Sequence, residues 1–99
     1  MKIGEWVIYN DDGLWVGFFN EKRVSYPTKA AAIEDVSVAC WDIRKTPKVH
    51  RVGTGKYIYT PKDPDTDLFG EAYTIEKLTS ENLARFEQLY QDTLEEQTD

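Results

Sequence analysis

Residues 3–9, Ile-Gly-Glu-Trp-Val-Ile-Tyr, form a run of β-branched and aromatic side chains, which is the composition of a strand. Asn10-Asp11-Asp12-Gly13 follows, and an Asp-Gly pair readily supplies the positive φ that a tight hairpin loop needs. Leu14 to Phe19 is the expected return strand; after a turn at Asn20-Glu21-Lys22, Arg23 to Tyr26 makes a short third one. With Tyr9 opposite Leu14, alternation puts Val7, Tyr9, Leu14, Val16 and Phe18 on one face and Trp6, Ile8, Trp15 and Phe19 on the other. Both faces are apolar. Either a helix covers each, or one is exposed and meets a partner or a second copy.

The period changes after Pro27. Thr28 is placed to cap a helix that continues through Lys29-Ala30-Ala31-Ala32, with Ile33, Val36, Cys40 and Ile43 on one side. Val36 to Ile43 also has strand-like composition, and Thr46-Pro47 ends the segment. Lys48 to Val52 and Lys56 to Thr60 read as a hairpin around Gly53-Thr54-Gly55, followed by a Pro- and Asp-rich loop from Pro61 to Gly70. Glu71 to Leu78 is the next strand, with Tyr73 and Ile75 on one face.

Thr79 caps the last helix, which runs to about Glu95. Leu78 and Leu83 occupy the positions of a hydrophobic staple. Leu83, Phe86, Tyr90 and Leu94 form its apolar stripe, and Glu81 and Arg85 are spaced as an i,i+4 ion pair. Glu95 and Glu96 oppose the helix dipole at its C-terminal end, which favours fraying. The predicted class is α+β: one domain over residues 1–99, a small antiparallel sheet and two helices, in the order βββα-βββα. Trp6-Val7-Ile8-Tyr9 and Tyr57-Ile58-Tyr59 open similar halves, which fits either an internal duplication or coincidence.

Composition narrows the class. Three Trp, six Tyr and four Phe suit a small aromatic core, since each buried ring removes about 150–250 Å² from water. A single cysteine, Cys40, rules out a disulfide scaffold. No basic segment followed by an apolar run begins the chain, and no stretch approaches the roughly 20 apolar residues of a membrane span, so the expected location is cytoplasmic.

The net charge of −6 is unevenly distributed. Residues 1–42 carry −3; residues 43–62 carry +6, from Arg44, Lys45, Lys48, Arg51, Lys56 and Lys62 with no acid; residues 63–99 carry −9. An acidic balance argues against ordinary binding to nucleic acid, where Lys and Arg neutralise phosphates. Two readings of the segregation stand. The charged segments attract each other within the fold, or the acidic third docks on a basic partner, because Arg pairs with carboxylates and phosphates in the same fork geometry.

Catalytic and metal motifs fail on spacing. Gly53-Thr54-Gly55-Lys56 lacks the first Gly of a phosphate-binding loop, where His50 stands, and the hydroxyl residue after the Lys, where Tyr57 stands. Asp63, Asp65 and Asp67 alternate as in an EF-hand, but Leu68 and Thr74 replace the required Gly and Glu. His50 and Cys40 are the only residues of their kinds, so the common structural zinc sites are excluded. No enzyme activity, cofactor or metal is expected.

Trp6 to Tyr9, Asp12-Gly13-Leu14-Trp15 and Pro27-Thr28-Lys29-Ala30-Ala31-Ala32-Ile33-Glu34 resemble the openings of many small bacterial and phage proteins. The wider profile, short, acidic and aromatic-rich, resembles phage-encoded inhibitors of host defence, including anti-CRISPR proteins and nucleic-acid mimics. That resemblance implies a protein that sits on a host protein, such as a CRISPR effector, and blocks its nucleic-acid site. The residues expected to meet a basic partner are Asp63, Asp65, Asp67, Glu81, Asp92, Glu95 and Glu96, joined by Trp6 and Trp15 as aromatic anchors. The alternative is a small assembly module that homodimerises through an aromatic hairpin face.

Overall fold

A computed structural model describes residues 1–11, 13–15, 24–40, 42, 48–60 and 72–97. The elements run β1 (Trp6–Asn10), β2 (Gly13–Leu14), α1 (Lys29–Ala39), β3 (Lys48–Gly53), β4 (Lys56–Thr60), β5 (Tyr73–Lys77) and α2 (Leu83–Gln97). The strands form one antiparallel sheet in the order β2-β1-β5-β4-β3, so the fold is α+β with two helices, as expected. Tyr9 lies opposite Leu14, the expected hairpin register.

The two halves of the chain are joined through β1 and β5, which pair from Trp6↔Lys77 to Tyr9↔Thr74. They are not two equivalent βββα units. The third strand expected over Arg23 to Tyr26 is reduced, within its described part, to a single bridge in which Tyr26 and Trp6 exchange two backbone hydrogen bonds of 2.8 Å. Pro27 follows at once and has no N–H with which to extend the ladder.

Each helix covers one face of the sheet. Ala32 and Val36 of α1 pack with Ile8, Tyr26, Tyr59, Tyr73 and Ile75, while Phe86 of α2 packs with Val7, Leu14 and Leu78. The alternation read from the sequence holds in its described part. Val7, Tyr9 and Leu14 face α2, and Trp6, Ile8 and Trp15 face α1; Val16, Phe18 and Phe19 lie outside the described residues. Burial on both faces is why β1 reads as a nearly continuous apolar run.

Thr28 caps α1, its hydroxyl accepting from the Ala31 N–H at 3.1 Å. The helix stops at Ala39, short of the expected Ile43. The Asp42 N–H reaches back to the Ser37 carbonyl at 2.9 Å, and the Asp42 carboxylate accepts from the Tyr59 hydroxyl at 2.6 Å. Turning Asp42 toward β4 satisfies a buried tyrosine and takes the chain off the helical path.

Ahead of α2, the Thr79 N–H donates to Asn82 Oδ1 at 2.7 Å and the Asn82 N–H donates to Thr79 Oγ1 at 3.3 Å. This is a reciprocal capping box with Asn in the place usually taken by Glu or Gln. Leu78 and Leu83 share one core cluster, as a staple requires. The stripe is shifted from the expected one: Leu89 joins Leu83, Phe86 and Tyr90, Thr93 is buried among them, and Leu94 is only half-buried. Arg85 does not pair with Glu81; its guanidinium bonds Glu76 at 2.8 Å.

Candidate functional site

The exposed flank of α2 carries two of the three expected partner-binding acids whose side chains are described, Asp92 and Glu95. Phe86 holds the inner side of the helix against Tyr9, with ring centroids 5.2 Å apart. Thr93 Oγ1 accepts from the Leu14 N–H at 3.1 Å and donates to the Leu89 carbonyl at 2.8 Å. The helix is therefore tied to the β1–β2 hairpin along its length, and its outer side points to solvent.

Asp92 and Glu95 are exposed on that outer side, with Gln88 Nε2 donating to Asp92 Oδ1 at 3.0 Å. Glu81 is exposed too, but in the turn before the helix begins. At about 1.5 Å per residue it lies roughly 16 Å from Asp92 along the axis, with Arg85 and Gln88 in the intervening turns. The structure thus groups Asp92 with Glu95 and sets Glu81 apart. Glu96 continues α2, but its side chain is outside the described residues, as are Asp63, Asp65 and Asp67.

Trp6 and Trp15 are half-buried parts of the α1-side core and not displayed anchors. The Trp6 ring lies 5.9 Å from that of Tyr57; Trp15 meets Tyr73 edge-on at 5.7 Å and donates through Nε1 to Asp35 at 3.1 Å. With a helix over each side of β1, the described part of the hairpin offers no uncovered aromatic face to a second copy.

Among the described residues, three buried carboxylates escaped the sequence reading. Asp35 accepts from the hydroxyl of Tyr26 as well as from Trp15, and Asp42 accepts from Tyr59. The third, Glu76 of β5, is the most connected. It accepts from the Tyr9 hydroxyl at 2.9 Å, Asn82 Nδ2 at 2.9 Å and Arg85 at 2.8 Å, with Lys56 Nζ at 3.9 Å. Burial, reinforced by the hydrogen bond to Glu76 and its negative charge, pushes the Tyr9 hydroxyl up to about 12. One signal was available in the sequence. Asp35 follows Ala32 by three residues and precedes Val36, so it falls on the inner stripe of its helix.

These carboxylates are engaged as acceptors that join secondary-structure elements. A shallow groove of about 490 Å³ beside Glu76 is bordered by Thr54, Gly55, Lys77, Glu81 and Arg85. Cys40 packs toward the α1-side core, whereas His50 pairs with Ile58 on the opposite face of the sheet, so the two do not form a catalytic pair. Gly53-Thr54-Gly55 is a hairpin turn, with Gly55 at φ +63°. Among the described residues no cluster of His, Cys, Asp and Glu could hold a metal ion, and no helix is long and apolar enough to cross a membrane. No family model, curated protein or solved structure matches the chain.

Proposed function

We propose that the chain is a non-enzymatic protein-binding module, an inhibitor or adaptor, that lays the exposed flank of α2 on a basic patch of a partner protein. The patch is of the kind that otherwise holds nucleic-acid phosphates, as in the host effectors blocked by the phage inhibitors that the chain resembles. The observation that carries this reading is the display of Asp92 and Glu95 on one side of a helix whose other side is pinned by Phe86 and Thr93. Ordering these carboxylates on binding costs little backbone entropy, because the helix is already formed. The deficit of −9 over residues 63–99 supplies the long-range attraction.

The test compares wild type with the variant Asp92→Lys, Glu95→Lys, Glu96→Lys as affinity baits in host lysate, at low and moderate salt. The expected catch is one or more nucleic-acid-binding proteins, retained by wild type at low salt and lost by the variant. Purified chain should then compete with nucleic acid for that protein. A catch unchanged by the triple reversal and by salt would refute the electrostatic reading.

A further inference from the structure

The strand order leaves β3 at an edge of the sheet, and among the described residues no strand lies beyond it. The backbone groups facing outward follow from the ladder. The Lys77 N–H donates to the Gly55 carbonyl at 2.8 Å, so Lys56↔Glu76 is a pair flanked by ladder bonds, not sharing them. Alternation then turns the amides of Tyr57 and Tyr59 toward β5, and those of Ile58 and Thr60 toward β3. Their partners His50 and Lys48 face β4, which leaves the N–H and C=O groups of Val49 and Arg51 directed away from the sheet.

Six residues, Lys48 to Gly53, extend this edge over roughly 20 Å at about 3.4 Å per residue. Lys48, His50, Arg51 and Val52 are exposed along it. Lys48 and His50 project on the face away from α1, and Arg51 projects on the same face as Val49, toward α1. A strand added here would therefore meet a cation on either face, within a segment, residues 43–62, that contains no acid. A second copy pairing β3 to β3 would bring two cationic rows together, which is unfavourable.

We infer that the outer edge of β3 accepts an extended acidic segment of a partner protein as an added strand. Main-chain bonds to Val49 and Arg51 supply the ladder, Lys48 and Arg51 select acidic side chains, and exposed Val52 offers an apolar contact. This surface is separate from the flank of α2 and does not depend on the function proposed for it.

The experiment uses the full chain, ¹⁵N-labelled, and an eight-residue peptide of alternating Glu-Glu and Val-Val pairs, which carries acids on both faces of an added strand. The expected result is slowed amide exchange and shifted resonances centred on Val49 and Arg51. The same peptide with Lys for Glu should bind at least tenfold more weakly, as should one N-methylated at alternate residues, which cannot complete a ladder and leaves the protein untouched. Lys48→Glu, Arg51→Glu should invert the preference, and reversal of Asp92, Glu95 and Glu96 should leave it unchanged. Absence of protection at Val49 and Arg51, equal binding of the N-methylated peptide, or self-association through β3 in its place would overturn the inference.

Discussion

Replacing Glu76 by Ala removes the acceptor at which β1, β4, β5 and the start of α2 converge. The Tyr9 hydroxyl loses a charged acceptor at 2.9 Å, a kind of bond worth about 1.5–3 kcal/mol, taken at its lower end because Tyr9 is only half-buried. Asn82 Nδ2 keeps its 3.0 Å bond to the Lys77 carbonyl, so its loss is about 1 kcal/mol. Arg85 and Lys56 are 62% and 44% exposed, so solvent screens their pairing and together they add ~0–1 kcal/mol. The expected cost is about 3 kcal/mol. At roughly 4–8 °C per kcal/mol for a domain of this size, the melting temperature falls by at least about 10 °C.

Glu76→Gln tests the accounting. Its amide oxygen still accepts from Asn82 and Arg85, and its amide N–H donates to Tyr9, whose hydroxyl turns to accept. That variant should cost about 1 kcal/mol. Urea unfolding followed by tryptophan fluorescence measures the total cost, and Tyr9→Phe completing a double-mutant cycle isolates the Tyr9 contribution. A Glu76→Ala cost below about 1 kcal/mol, or equal costs for Ala and Gln, would refute the reasoning.

Three further outcomes are expected. Gly13 sits at φ +129°, and a Cβ there would lie 2.9 Å from Thr93 Oγ1, so Gly13→Ala should cost about 2 kcal/mol or more by chemical unfolding, an effect only partly relieved by Thr93→Ala. The Tyr9 hydroxyl is raised from 10.0 to about 12 in the folded chain, so the folded state holds a proton that the unfolded state has released; stability is intact below pH 10 and falls as pH rises toward 12. Unfolding titrations should show a shallower alkaline decline for Tyr9→Phe. Reversing Asp92, Glu95 and Glu96 to Lys places cations at the C-terminal end of α2, which should leave stability unchanged or raise it by up to about 1 kcal/mol, separating any lost binding from lost folding in thermal melts.

The legible parts of the site were those set by neighbours within a few residues. Asp92 and Glu95 fell on the outer side of α2 because its inner side is marked by Leu83, Phe86 and Tyr90 at helical spacing. The illegible parts depend on contacts across the chain. Glu76 reads as one more acid on a strand until β1 is laid beside β5 and α2 is docked, which brings Tyr9, Asn82 and Arg85 around it. Arg85 was paired with Glu81 by helical spacing, yet the exposed guanidinium goes to the less solvated carboxylate.

Local sequence was sufficient to specify the Thr28 cap, the Thr79 start of the last helix, the Gly53-Thr54-Gly55 hairpin and the two apolar faces of the first one. Each depends on backbone torsions or side-chain alternation over a few residues. Tertiary structure alone decided that a helix covers both faces of β1, that Trp6 and Trp15 are core residues, and that β3 is left at an edge. Sheet order is a choice among strands that all alternate acceptably, and the packing of α1 and α2 on opposite faces makes that choice. The acidic flank and the basic edge were both written in the charge pattern; only the pairing of β1 with β5 joined the half that carries helix α2 to the sheet whose edge is β3.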